Sequence, residues 1–157
     1  MTGQIAVVTG SSSGIGRAIA EALSAQGASL CLVGRKSEAL EGIGRPTERI
    51  RRYQADLADD YDLRTLTTSV RQDCGRVDIL VHSAGVCRLG DLADAPVGDF
   101  DRQYRVNVRA PYALTQALLP LIRSSRGQIV FINSSVGITA RAGVGQYAAT
   151  KHALKAI

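Results

Sequence analysis

Five apolar runs recur along the chain, separated by longer segments of mixed polarity. The runs at 5–8 and 29–33 are continuous, which is typical of strands buried on both faces of a parallel sheet, and the segment 77–82 is predicted to be the fourth strand, also buried. The run at 50–55 carries charged residues and is therefore predicted to be an edge strand. The run at 128–133 is predicted to be the fifth strand.

Apolar residues at helical spacing occupy the segments between these runs. Ile15, Ile19, Ala22 and Leu23 recur on one helical face, and Gly27 follows where a left-handed C-terminal cap belongs. The repeated alternation of strand and helix predicts an α/β fold. Right-handed crossovers make it a doubly wound, Rossmann-like parallel sheet with the strand order 3-2-1-4-5.

A second helix is predicted after the third strand. Acidic residues occupy its start at 59–62, an apolar stripe follows at Leu63, Leu66 and Val70, and Gly75 ends it.

The longest helical stretch, residues 97–125, contains Pro111. Because proline has no amide hydrogen, the carbonyl of Asn107 loses its helical partner and the helix is expected to bend there. That carbonyl becomes free to hold a water molecule.

The composition of the 157 residues, 45% of them hydrophobic, suits one folded unit with a buried core. No apolar run approaches the length of a membrane span, and the N-terminus carries no basic segment of a signal peptide, so a cytoplasmic location is expected. Cys31, Cys74 and Cys87 are odd in number and lack metal-ligand spacing. They are interpreted as free thiols in a reducing compartment, and no metal site is predicted.

The net charge of +5 is locally concentrated in a basic cluster. Its members are Arg35, Lys36, Arg45, Arg49, Arg51 and Arg52. A nucleic-acid surface and a solvated arginine-rich face are both compatible with this pattern. The second is favoured because no stacking aromatic residues interleave the charges, so no nucleic-acid partner is predicted.

A glycine-rich turn links the first strand to the first helix. Gly10 allows the tight exit from the strand, Gly14 lets the backbone approach a pyrophosphate, and Gly16 lets the helix lie close on the sheet. The free amides at the helix start then face the anion. A glycine turn without a ligand is the alternative, although the flanking strand and helix favour phosphate binding.

The second strand ends at Gly34-Arg35-Lys36. In a dinucleotide-binding fold, an acidic residue here would accept from the ribose 2′-hydroxyl, whereas a basic one would pair with a 2′-phosphate. The acid is absent and the base is present, so NADP(H) is favoured over NAD(H). The alternative is that Arg35 is a solvated turn residue.

Candidate chemistry lies in the last third of the chain. Tyr147 and Lys151, four residues apart, share one face of a predicted helix, and Ser134 follows the fifth strand. A nearby ammonium favours the ionised phenol, so Tyr147 could exchange protons nearer neutrality than its usual pKa of about 10. A serine hydroxyl can hold the reacting oxygen as its charge changes. Taken alone, the tyrosine–lysine pair could be a surface pair.

Taken together, Thr9-Gly10-x-x-x-Gly14-Ile15-Gly16, Asn107, Ser134 and Tyr147-x-x-x-Lys151 resemble the short-chain dehydrogenase/reductase family across essentially the whole chain. The resemblance implies that Tyr147 is the general acid/base and that Ser134, with Ser135 as a competitor, orients the substrate oxygen. It implies that Lys151 binds the nicotinamide ribose and lowers the tyrosine pKa, and that Asn107 holds a relay water.

The resemblance also implies the positions that contact the cofactor. The pyrophosphate turn comprises Gly10, Ser12, Ser13, Gly14, Ile15 and Gly16. Asp56 and Leu57 match the adenine contact, and Ser83, Ala84 and Gly85 match the ribose-side turn. The family usually has Asn-Asn-Ala-Gly where this chain has His82-Ser83-Ala84-Gly85. His82 could be mistaken for a catalytic base, but a buried structural histidine is favoured, and His152 is interpreted as a helix-surface residue.

The sequence thus predicts one dinucleotide-binding domain over residues 1–157, incomplete at its C-terminal end, since the family continues into further strands, helices and a substrate lid. The resemblance implies an NAD(P)-dependent oxidoreductase acting on a small carbonyl or alcohol substrate, homo-oligomeric in its full-length form. The alternative is a non-catalytic nucleotide-binding fragment or interaction module. Arg88 and Arg141 lie in loops expected to flank the cleft and could meet an anionic substrate, although exposed arginines are the simpler interpretation.

Overall fold

The fold was analysed in a computed structural model that describes residues 1–44 and 49–157. Arg45 of the basic cluster lies outside the described residues. Five strands form one parallel sheet in the order β3-β2-β1-β4-β5, which confirms the predicted α/β class and strand order. The strands are β1 (Ile5–Thr9), β2 (Ser29–Gly34), β3 (Ile50–Gln54), β4 (Ile79–His82) and β5 (Gln128–Phe131).

Residues 1–44 and 49–157 also contain five α-helices. They are α1 (Gly14–Ala25), α2 (Asp60–Cys74), α3 (Val97–Tyr104), α4 (Ala110–Ser125) and α5 (Gly145–Ala153). Short 3-10 turns occur at Glu38–Leu40, Ser135–Gly137 and Leu154–Ala156. The chain therefore follows the strand–helix alternation that the hydrophobic pattern predicted.

Two buried layers hold the fold together, one on each face of the sheet. The first packs β-strand residues such as Val7 and Leu80 against Leu66 of α2 and Leu118 of α4. The second packs the other strand faces against α1 through Ala20. The central strands β1, β2 and β4 are almost wholly buried, whereas β3 and β5 are partly exposed. The predicted edge position of β3 is thus confirmed.

The first two helices end and pack as predicted, with two exceptions in the apolar face of α1. Gly27 and Gly75 have φ values of +83° and +63°, in the left-handed region that terminates helices. Asp59 caps α2 by accepting hydrogen bonds from the backbone N–H groups of the next turn. The exceptions are Ile15, which is 62% exposed, and Ala22, which is also exposed. Ile15 lies at the start of α1, where it faces a cleft rather than the core.

The long helical stretch is interrupted before Pro111 rather than at it. Residues Arg105–Arg109 form a π-helical turn, in which the N–H of Ala110 bonds to the carbonyl of Arg105, five residues earlier. Pro111 then lies in the first turn of α4, where its missing N–H is tolerated. The π-helical turn contains one extra residue, and Pro111 follows it in the first turn of α4. A π-helical turn thus replaces the simple bend that was predicted. Whether the Asn107 carbonyl holds a water stays a prediction.

Cys31, Cys74 and Cys87 are free, as predicted; the first two are buried and the third is exposed. Within the described part of the chain, no helix is long and apolar enough to cross a membrane. Among the same residues, no group of three or more metal-ligating side chains converges.

Candidate functional site

The carboxyl ends of the parallel strands open into one cleft of about 330 Å³. Open α/β sheets place ligands at this edge, because the loops that leave the strands diverge there. Most of the predicted site residues line this cleft. They are Gly10, Ser12, Ser13, Ile15, Gly16, Arg35, Asp56, Leu57, Ser83, Ala84, Gly85, Tyr147 and Lys151. Gly14, Asn107 and Ser134 do not contribute to its lining.

The glycine turn is packed too closely for side chains at two of its positions. A Cβ on Gly16 would lie 2.3 Å from the carbonyl oxygen of Gly10, so glycine lets α1 approach the end of β1. A Cβ on Gly10, which has a φ of +66°, would lie 2.7 Å from the Cα of Ala84. Gly14, with a φ of +54°, has no atom within 4 Å of that position. Its backbone is therefore accessible to a ligand.

The start of α1 carries amides suited to an anion. Ser13 precedes the helix but makes no side-chain cap hydrogen bond. The first N–H groups of a helix lack intrahelical partners and carry the positive end of the helix dipole. This end of α1 can therefore bind a phosphate through its backbone.

Thr9 joins the glycine turn to the second small-residue turn. Its hydroxyl accepts hydrogen bonds from the N–H groups of Ser83 and Ala84, both at 3.1 Å, and donates to the carbonyl of Val81 at 3.3 Å. The two turns are thus held together by one buried side chain. Thr9 belongs to the glycine motif, but its role does not follow from the sequence, because its partners lie more than 70 residues away.

The far end of the cleft contains Arg35, Asp56 and Arg102. Arg35 is exposed where β2 ends. Asp56 accepts a hydrogen bond from the Ala58 N–H at 3.0 Å and pairs with Arg102 at 3.0 Å. Burial raises the pKa of Asp56, but these two donors outweigh it and hold the pKa below its usual range. Arg102 was not predicted, since nothing near it in the sequence indicates a partner 46 residues away.

Tyr147 and Lys151 lie on α5 and face the cleft together, as their spacing predicted. The Lys151 ammonium lies 5.7 Å from the centre of the Tyr147 ring and donates to the Ile132 carbonyl at 2.8 Å. Burial lowers the pKa of Lys151. Burial also raises the pKa of Tyr147, while a hydrogen bond with Ser134 opposes that rise. The expected lowering of the Tyr147 pKa by Lys151 is therefore not found, because the ammonium is directed to the Ile132 carbonyl.

The Asn107 side chain does not line the cleft but joins two segments that do. Its side-chain oxygen accepts from the Val86 N–H and its amide donates to the Val86 carbonyl, both at 2.8 Å. The same amide donates to the Thr150 hydroxyl at 3.0 Å, and that hydroxyl donates to the carbonyl of Tyr147. The buried Asn107 side chain therefore connects the loop after β4 to the helix that carries Tyr147.

Sequence comparison assigns the chain to a protein family. The family model described as short chain dehydrogenase matches residues 4–157. The chain belongs to the short-chain dehydrogenase family. The matched range includes both the glycine turn and the Tyr147–Lys151 pair. The family assignment therefore rests on nearly the whole chain, as the resemblance in the sequence implied.

Individual relatives and solved structures agree with this assignment. Nodulation protein G of Rhizobium sp. (strain N33) is 37% identical over 153 residues, which cover 96% of this chain and 62% of that protein. The crystal structure of a short-chain dehydrogenase from Streptomyces avermitilis has a TM-score of 0.93 at 34% identity, covering 99% of this chain and 58% of that one. A metagenomic short-chain oxidoreductase in complex with NADP has a TM-score of 0.92 at 34% identity, covering 99% and 73%. This chain thus spans about three fifths of the curated relative's length.

His82 departs from the usual short-chain dehydrogenase pattern and has a structural role. Its Nε2 hydrogen-bonds to the Thr115 hydroxyl at 2.8 Å, and its ring stacks on Phe131 with centroids 4.9 Å apart. Burial lowers its pKa from 6.5 to about 4. It does not line the cleft, so its interpretation as a buried structural histidine is confirmed. His152 is exposed and bonds to the Ala148 carbonyl of its own helix.

The two loops that were expected to flank the cleft contact each other. The N–H of Gly90 donates to the carbonyl of Gly143 at 2.9 Å. Arg88 and Arg141 lie in these loops, are exposed and do not line the cleft, which agrees with the simpler of the two interpretations.

Proposed function

We propose that this chain is the cofactor-binding and catalytic part of an oxidoreductase that acts with NADP(H) on a small carbonyl compound or secondary alcohol. The observation that carries the proposal is the cleft itself. It brings the glycine turn together with the half-buried Tyr147 and the buried Lys151 at the same edge of the sheet. Family membership supports the reaction class.

The shape of the glycine turn fits a dinucleotide pyrophosphate. Neighbouring backbone atoms leave no room for a Cβ at Gly10 or Gly16, whereas no atom lies within 4 Å of the Cβ position of Gly14. The uncapped amides at the start of α1 add donors for the phosphate oxygens. Asp56 and Leu57 would then lie at the adenine end of the cofactor.

Arg35 supports a preference for NADP(H). It stands exposed at the end of β2, where it can pair with a ribose 2′-phosphate. No acidic residue occupies the strand end beside it, and Asp56 is already paired with Arg102. The metagenomic relative solved with NADP agrees with this preference.

Three side chains would share the work of the reaction: one transfers the proton, one holds the substrate oxygen and one binds the cofactor. The bound cofactor supplies or accepts the hydride. Burial keeps Tyr147 protonated at neutral pH, so in the reductive direction its phenol can donate a proton to the carbonyl oxygen. The Ser134 hydroxyl donates a hydrogen bond to that oxygen. Lys151, held by the Ile132 carbonyl, binds the cofactor ribose.

Replacing Tyr147→Phe tests the catalytic assignment. We expect NADPH-dependent carbonyl reduction to fall by about 100-fold or more, because general acid catalysis contributes on that order. Affinity for NADPH should stay nearly unchanged, since the phenyl ring remains. Tyr61→Phe, at an exposed tyrosine on α2, is the matched control and should behave as wild type. Unchanged turnover in Tyr147→Phe would refute the assignment.

Replacing Arg35→Ala tests the cofactor preference. Titration is followed by the fluorescence of the reduced cofactor, which is uncluttered because the chain has no tryptophan. We expect NADPH affinity to fall about 10- to 100-fold, since hydrogen bonds to charged groups contribute about 1.5–3 kcal/mol. NADH binding and the Arg71→Ala control should not change. Equal losses for NADPH and NADH would contradict the role of Arg35.

The same titration addresses the non-catalytic alternative. If the 157-residue chain binds NADPH but reduces no carbonyl compound, it acts as a nucleotide-binding module and the oxidoreductase activity belongs to a longer protein. Measurable reduction would exclude that alternative.

We also propose that the full-length form is a homo-oligomer. An apolar groove of about 470 Å³ lies between the α3–α4 region and the end of α5, lined by Tyr104, Val108, Tyr112 and Ile157. Sedimentation of the full-length protein would test this. A monomer at micromolar concentration would contradict it.

A further inference from the structure

Two of the three cysteines meet in the buried layer between the sheet and α2. Cys31 lies within β2, and Cys74 is the last residue of α2. Their sulfur atoms share a hydrogen bond at 3.0 Å. Cys31 is fully buried, whereas Cys74 retains 8% exposure at the end of its helix. Of the two residues, Cys74 is thus the one with surface in contact with solvent.

Polar groups from the edge strand surround this pair. Cys31 is in register with Arg51 of β3, and Val33 is in register with Tyr53. Because strand side chains alternate, Arg51 and Tyr53 lie on the same face of the sheet as Cys31. The Tyr53 hydroxyl donates to the Asp73 carboxylate at 2.8 Å. The two thiols thus lie in a polar corner rather than in a purely hydrocarbon core.

The charges of this corner distinguish the two sulfurs. The hydrogen bond from Cys31 and the charge of Arg51 together outweigh the effect of burial and lower the pKa of Cys74 from 9.0 to about 7. The same hydrogen bond and burial raise the pKa of Cys31. The Cys74 thiol is therefore the more acidic of the two, and Cys31 lies within hydrogen-bond distance of its sulfur. Since thiolates are the nucleophilic form, Cys74 is also the reactive residue of the pair.

We propose that Cys31 and Cys74 form a dithiol site that takes a small hydroperoxide as its co-reactant and is converted reversibly to a disulfide. The Cys74 thiolate attacks one peroxide oxygen, the O–O bond breaks, and Cys74 becomes a sulfenic acid. Cys31 then attacks the Cys74 sulfur, the S–S bond forms, and the S–O bond breaks. With hydrogen peroxide the overall reaction oxidises two thiols to one disulfide and reduces one peroxide to two waters.

The disulfide requires little rearrangement and should stabilise the fold. The sulfurs need to approach by about 1 Å to reach the bond length of about 2.05 Å. The bond would join the middle of β2 to the end of α2 across 43 residues of sequence separation. Closing a loop of this length restricts the unfolded chain, and for a protein of this size the melting temperature should rise by about 10 °C.

Peptide mapping after peroxide treatment tests the proposal. The three cysteines fall on separate tryptic peptides, residues 18–35, 72–76 and 77–88. The reduced chain is treated with hydrogen peroxide, blocked with a thiol reagent and digested without reductant. We expect a cross-linked 18–35/72–76 species lighter by two hydrogens and a higher melting temperature, both reversed by dithiothreitol.

Two variants control the test. Cys87→Ser removes the exposed thiol and should leave the cross-link and the rise in melting temperature intact. Cys74→Ser should lose both. If peroxide leaves the 18–35 and 72–76 peptides uncrosslinked in Cys87→Ser, with Cys74 unmodified or over-oxidised to the sulfinic acid, the proposal is refuted. This outcome needs only the Cys87→Ser variant and is independent of cofactor binding.

Discussion

A methyl group added at Gly16 should separate the first helix from the first strand. In Gly16→Ala the new Cβ would lie 2.3 Å from the carbonyl oxygen and 2.8 Å from the carbonyl carbon of Gly10. The obstacle is backbone, so no side-chain rotation relieves the overlap. Gly10 also has little room to move, because the Ala84 backbone packs closely against it: a Cβ built on Gly10 would lie 2.7 Å from the Cα of Ala84. Helix α1 must therefore move away from the turn by about 1 Å.

The size of the effect follows from two opposing contributions. Overpacking of this kind costs about 1–3 kcal/mol. Alanine in place of a helical glycine recovers roughly 0.5–1 kcal/mol. The expected net loss in the free energy of unfolding is about 2 kcal/mol, which lowers the melting temperature by about 6 °C for a protein of this size.

Gly14→Ala is the matched comparison. Its Cβ meets no atom within 4 Å, and the φ of +54° adds only about 1–2 kcal/mol of backbone strain. Since the proposed pyrophosphate would approach the backbone at this glycine, the variant should lose NADPH affinity more than stability. Thermal unfolding by circular dichroism and cofactor titration separate the two effects. If Gly16→Ala melts within a degree of wild type, the close-packing argument is wrong.

Two further predictions concern titratable groups. His82 is neutral in the folded state, with its pKa lowered from 6.5 to about 4, so the stability that it contributes is present above pH 6.5 and is lost as the pH falls toward 4. Between these values wild type should lose up to about 3 kcal/mol more than His82→Gln, which keeps a partner for Thr115, as measured by urea unfolding at several pH values. Equal losses of stability in wild type and His82→Gln as the pH falls would contradict this prediction. Arg102→Ala should raise the pKa of Asp56, observed by NMR titration, while changing stability by less than about 1 kcal/mol because the ion pair is partly exposed. An unchanged pKa would show that Arg102 does not stabilise the Asp56 carboxylate.

Local patterns in the sequence were sufficient for the architecture. Continuous apolar runs identified the buried strands, the charges within residues 50–55 identified an edge strand, and Gly27 and Gly75 marked helix ends. These signals are readable because burial and backbone conformation act over a few neighbouring residues. The π-helical turn before Pro111 was not predicted, since the choice between a bend and an inserted residue depends on how the helix packs.

The sequence by itself determined the glycine turn, the Tyr147–Lys151 helical face and the residues that resemble a short-chain dehydrogenase, because each depends on spacing within one segment. Only the tertiary structure decided which distant groups meet. It paired Asp56 with Arg102, directed the Lys151 ammonium to the Ile132 carbonyl, and brought Cys31 within 3.0 Å of Cys74. Such contacts follow from strand register and helix packing across the fold, and neither is encoded in any one stretch of the chain.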